Sequence, residues 1–109
     1  MWLLTSIGFF SVVEKPGDKV SCTLTVRARI QADLESLRDQ YLPSLSPILK
    51  DMGTDYQFRA TAPKEDVAKA ISQIVSSIDY SNFKNEVAAK QGKKREGLYH
   101  RVWDVLAGL

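Results

Sequence analysis

Three arginines offer the plainest chemistry in this sequence. Arg27 and Arg29 lie two residues apart in the stretch Cys22–Ile30, and Arg59 lies in a second alternating stretch, Asp55–Ala62. A guanidinium is planar, permanently charged and fork-shaped, so it pairs with phosphates and carboxylates and stacks on rings. Trp2, Phe10 and Gln57 are expected on the same sheet face, together with Leu4 and Val12. Aromatic rings beside arginines on an open sheet are the ingredients of single-stranded nucleic-acid platforms. A second basic group comes later: Lys93, Lys94, Arg95, His100 and Arg101, interleaved with Tyr99. It suits either phosphate binding or a solvated helix end.

Other chemistries find little to work with. His100 is the one histidine, and with Asp104 four residues on it can form an i,i+4 helix pair. A general base also needs a nucleophile or substrate within reach, and no such residue is indicated. Asp51, Asp55 and Asp79 fall at element ends, where turn hydrogen bonding accounts for them. There is no glycine-rich phosphate loop, paired-cysteine site or nucleophile elbow. No catalytic residue, metal ligand or cofactor is expected.

The elements that must position the arginines begin with Cys22–Ile30. Cys22, Leu24, Val26, Ala28 and Ile30 alternate with Thr23, Thr25, Arg27 and Arg29, the period of a half-buried strand. Cys22 is therefore expected in the core. Met1–Glu14 reads as one long strand facing it across a type II turn at Lys15-Pro16-Gly17-Asp18. That turn pairs Val13 with Val20, Phe9 with Leu24, Ile7 with Val26 and Leu3 with Ile30, and Gly8 suggests a bulge. A helix follows over Ala32–Leu42, with Asp33 as N-cap and Leu34, Leu37 and Tyr41 inward. A short helical turn is expected from Ser46-Pro47.

The third strand, Asp55–Ala62, places Tyr56, Phe58, Ala60 and Ala62 inward. A helix runs from Pro63 to Ile78, another starts at Ser81 or Asn82, Gln91-Gly92 breaks it, and a last helix begins at Lys93. The expected fold is α+β: a ββαβα three-stranded antiparallel or mixed sheet, helices on one face, a right-handed crossover, and a ferredoxin-like outline. The chain reads as one domain over 1–109, with a sheet-and-helix core at 1–79 and a C-terminal helical extension at 80–109.

At 109 residues with a net charge of +2, the composition is that of an ordinary globular domain. A lone cysteine excludes an intrachain disulfide, and no run reaches the length of a membrane span, so a cytoplasmic setting is expected. The second sheet face has three possible covers: the C-terminal helices, a second subunit, or nucleic acid. Its arginines repel one another unless Glu86, Glu96 or Asp104 from the tail, a partner's acids, or a bound anion lies among them. The functional expectation is a non-enzymatic module that forms a homodimer or docks a partner protein, with RNA or single-stranded DNA binding as the alternative.

Several strings also carry a resemblance: Gly8-Phe9-Phe10-Ser11-Val12-Val13, Leu24–Arg29, Thr54-Asp55-Tyr56, Ile78–Lys84 and Tyr99-His100-Arg101-Val102-Trp103. Spanning most of the chain, it resembles a group of small bacterial proteins of no assigned function. That resemblance implies a bacterial, cytoplasmic, stand-alone domain and brings no activity, ligand or site.

Overall fold

The strand at the centre of the sheet, Thr23–Ala28, follows its own alternation. Val26 and Ala28 are fully buried under helices, and Arg27 points to the opposite face. In the computed structural model, which describes residues 1–109, the chain runs β1 (Trp2–Thr5), β2 (Gly8–Val13), α1 (Asp18–Ser21), β3 (Thr23–Ala28), α2 (Gln31–Gln40), β4 (Leu49–Lys50), β5 (Phe58–Pro63), α3 (Lys64–Ser76), α4 (Phe83–Gln91) and α5 (Lys93–Leu106). The fold is α+β, with one five-stranded, wholly antiparallel sheet in the order β1-β2-β3-β5-β4. Helices α2 and α3 cover one face. The core between them holds Phe10, Val12, Val26 and Ala28 from the strands, Leu34 and Leu37 from α2, Ala60 and Ala62 from β5, and Val67 and Ala70 from α3. No helix is long and apolar enough to cross a membrane.

Two strands more than expected are present, and each has a local cause. Met1–Glu14 is not one strand: Thr5-Ser6-Ile7-Gly8 turns it back on itself, pairing Leu3 with Phe10 and Leu4 with Phe9. The Thr5 hydroxyl organises that turn. It donates to the Gly8 carbonyl at 2.8 Å and accepts from the Gly8 N–H at 3.1 Å. The second addition is β4, an edge strand where a helical turn was expected after Ser46-Pro47. A residue before proline favours extended backbone, and Ser46 already pairs with Thr61, N–H to carbonyl, at 2.8 Å. From β3 the chain crosses through α2 to β4, which runs parallel to β3 on the far side of β5, and then returns antiparallel as β5 between the two.

The β2–β3 connection departs most from a tight type II turn. Asp18–Ser21 winds into a helical turn, and Cys22 follows in the left-handed region at φ 55°. Cys22 is consequently exposed, not in the core, and Val20 stands in solvent. The longer connection slides the register, so that Val26 faces Val12 instead of Ile7. An odd slide exchanges the two faces of a strand. Phe10 and Val12 therefore enter the core, and Phe9 crosses to the arginine side.

Asp18 holds this connection together. Its Oδ2 accepts from the Lys15 N–H at 2.8 Å and the Thr25 hydroxyl at 2.7 Å, and its Oδ1 accepts from the Thr23 hydroxyl at 2.7 Å. The Thr23 bond, then the Lys15 and Thr25 bonds, hold the carboxyl below the ordinary aspartate value of 3.8 against the opposing effect of burial. A carboxyl whose pKa falls on folding stabilises the fold above its unfolded value, and that contribution is lost as pH drops through the folded one. The Asp18→Asn variant should melt below wild type at pH 7. The gap should narrow as pH falls below 3.8, which thermal melts from pH 7 to 2 would measure; a gap independent of pH would refute it.

Candidate functional site

The face of the sheet away from α2 and α3 carries the arginines. Register sets Trp2, Ser11, Arg27 and Arg59 in one row across β1, β2, β3 and β5. The next row brings Leu4 and Phe9 together. Strand β5 begins only at Phe58, so Tyr56 is released from the expected inward alternation and folds back over this face. Its ring centre lies 4.6 Å from the Arg27 guanidinium carbon, 5.3 Å from that of Arg29 and 6.3 Å from the Phe9 ring.

Arg27 donates from Nη2 to the Ser11 hydroxyl at 2.7 Å. Arg59 Nη2 donates to the Thr54 hydroxyl at 2.9 Å and the Tyr56 carbonyl at 3.2 Å. Arg29 is exposed. The centre of the face is thus covered from within the chain by the segment carrying Thr54 and Tyr56, an occupant not among the three expected.

The second cluster forms where α2, the β1–β2 turn and α5 meet. Asp33 is not the N-cap of α2, a place taken by Ile30. It is buried, and its Oδ2 accepts from the Phe9 N–H at 3.0 Å and from Arg95 Nη1 at 2.7 Å. Side-chain exposure of 14% for Arg95 and 6% for Asp33 makes this a largely buried ion pair. Gly8 must be glycine for the pair to form, since a β-carbon there would lie 2.7 Å from the Asp33 side chain. Burial lowers the Arg95 pKa, but the hydrogen bond and charge of Asp33 more than offset this and raise it. Burial also pushes the neighbouring Tyr99 phenol upward, against the Arg95 charge.

Helices α4 and α5 pack chiefly against each other. Asn82 caps α4 by accepting from the Asn85 N–H at 3.0 Å, Gly92 breaks the pair at φ 89°, and the Phe83 and Tyr99 rings stack 5.9 Å apart. Besides the Arg95–Asp33 pair, Gln91 Nε2 donates to the Ser6 carbonyl at 3.0 Å. Between α5 and the sheet runs an apolar cleft of about 320 Å³, walled by Trp2, Leu4 and Phe9 on one side and by Leu98 and Val102 on the other, with Arg29 at its margin.

Of the residues singled out from sequence, Trp2, Arg27, Arg29 and Arg59 share the expected face. Phe10 lies in the core, and the Gln57 backbone carbonyl accepts from the Asp51 N–H at 2.7 Å, just past β4. The basic segment divides: Arg95 joins the cleft beside Arg29, and Lys93, Lys94 and Arg101 are exposed. His100 meets Asp104 at 3.5 Å, as the spacing predicts, and stacks on Trp103 with ring centres 5.6 Å apart.

Asp33, Tyr56 and Phe9 were missed as site residues, and Tyr99 was counted only with the basic segment. An acid in the first helical turn reads as a capping or dipole residue, and only the buried arginine partner 62 positions away reveals another role. No group of three or more His, Cys, Asp or Glu side chains gathers as a metal site. No protein-family model, curated protein or solved structure matches this chain.

Removing one member of a buried ion pair strands the other, which costs about 3 kcal/mol. Arg95→Leu should destabilise the protein by about that amount and speed hydrogen exchange over residues 83–106 more than in the sheet. Unchanged exchange in α4 and α5 would show that the pair does not anchor them.

Proposed function

We propose that this chain is a non-enzymatic interaction module that pairs with a second copy of itself along α5. The observation that carries this reading is an apolar stripe with nothing covering it. Leu98, Val102, Val105 and Leu106 recur at helical spacing, with Val105 78% exposed and Leu106 52% exposed. The stripe is continuous with the cleft, whose far wall ends in Trp2, itself 70% exposed. Contiguous apolar patches of this kind mark interaction surfaces.

Charge supports a second copy as the occupant. Lys93 and Lys94 sit at the positive end of the α5 dipole, and the last turn has no basic residue but has Asp104 close by. Each arrangement is unfavourable within one helix. Two α5 helices laid antiparallel relieve both, because the lysines of each face the negative end and Asp104 of the other. Stripe and charges then agree on one geometry.

Nucleic-acid binding is supported less well. Tyr56 is only 7% exposed and carries Arg27 on its ring, and Phe10 is in the core, so the face offers little ring surface on which bases could stack. Sedimentation at micromolar concentration should give a dimer for the wild type. The Val105→Glu/Leu106→Glu double variant should be monomeric with a nearly unchanged melting temperature, both side chains being exposed. A wild-type chain still monomeric at about 100 µM, where association would be worth less than about 5.5 kcal/mol, overturns the proposal.

A further inference from the structure

We propose that Arg27, Arg29 and Arg59 form a binding site for a small phosphate-bearing anion. Arg27 and Arg59 stand directly opposite each other on β3 and β5, a placement in which like charges repel. Arg29, just past the end of β3, adds a third charge two residues along the chain, against the same Tyr56 ring as Arg27.

No carboxylate answers them. The ion pairs of the chain are Arg38–Asp39, Lys90–Glu86, Arg95–Asp33 and His100–Asp104. None of the tail acids pairs with these arginines: Glu86 and Asp104 hold other partners, and Glu96 makes no ion pair. Every hydrogen bond that Arg27 and Arg59 make goes to a neutral hydroxyl or carbonyl. The Nε atoms of both are buried without any partner, and Arg29 is exposed with no hydrogen bond at all. Buried donors left unmade are rare and costly, so the cluster carries unmet hydrogen-bonding capacity as well as unmet charge.

Phosphate is the chemistry that fits. One carboxylate supplies a single charge, whereas a phosphate monoester carries roughly −1.5 to −2 with three strong acceptor oxygens. Those oxygens match the guanidinium fork, for which phosphate is a preferred bidentate partner. A small anion is favoured over a nucleic-acid strand because Tyr56, the ring on which Arg27 and Arg29 rest, is buried and offers a base little face to stack on. The site is distinct from the α5 stripe: its three arginines come from β3, β5 and the residue after β3, and only Arg29 borders the cleft that α5 walls.

Inorganic pyrophosphate, titrated at constant ionic strength and followed by thermal melting and by calorimetry, tests the proposal. The wild type should gain melting temperature saturably. Arg27→Gln and Arg29→Gln should each lose about tenfold or more in affinity, the worth of one charged hydrogen bond. The exposed Lys93→Gln/Lys94→Gln pair should bind as wild type, and so should the Val105→Glu/Leu106→Glu variant. Arg29 makes no hydrogen bond in the fold, so its variant keeps the test decisive even if Arg27→Gln fails to fold. No saturable response at about 10 mM pyrophosphate, where even a weak site would raise stability, overturns the site. An undiminished response in Arg29→Gln does so too, as does binding of a short oligothymidylate but not of pyrophosphate.

Discussion

A single buried carboxylate joins the three parts of this molecule. Asp33 belongs to α2, accepts from the backbone at the start of β2, and pairs with Arg95 of α5. Taking a carboxylate out of water is costly unless its charge is paired and its lone pairs are filled. The Phe9 N–H and the Arg95 guanidinium together meet that need, and only with the β1–β2 turn and α5 both in place. The absent side chain of Gly8 leaves the room for this arrangement. Helices that otherwise pack on each other are thereby fixed to the sheet, and the cleft between α5 and the Trp2–Leu4–Phe9 wall exists because of it.

The second sheet face is governed by an opposite situation, positive charge without a counter-charge. Arg27 and Arg59 are kept in place by hydroxyls, a carbonyl and the Tyr56 ring. Cation–ring contact and neutral hydrogen bonds orient a guanidinium without cancelling its charge. At the far end of the same face Asp18 is saturated by Thr23, Thr25 and the Lys15 N–H, and is turned toward those groups. One face thus contains a satisfied acid and unsatisfied bases. The stripe on α5 is a separate incompleteness, apolar where the arginine cluster is ionic, so the two surfaces call for different occupants.

Much of the element pattern was legible along the chain. The alternation of residues 23–28, the helix after Pro63, the Asn82 cap and the Gln91-Gly92 break all rest on interactions within a few residues. The same holds for the His100–Asp104 pair. Register was not legible, because it depended on whether residues 15–22 made a two-position turn or a helical one. Asp18 decided this by finding Thr23 and Thr25 across the connection. Phe9 and Phe10 exchanged faces as a result.

The sequence by itself determined which side chains share a face wherever period-2 or period-3.6 spacing operates, since that parity is a property of the backbone. It therefore placed Arg27 and Arg29 together, and Leu98 with Val102. Tertiary structure alone decided what meets those faces: Tyr56 over the arginines, Arg95 into Asp33, and nothing over the α5 stripe. These outcomes turn on desolvation and on partners as far as 62 residues apart. A buried charge takes its nature from what surrounds it in space, and local spacing along the chain carries no record of that.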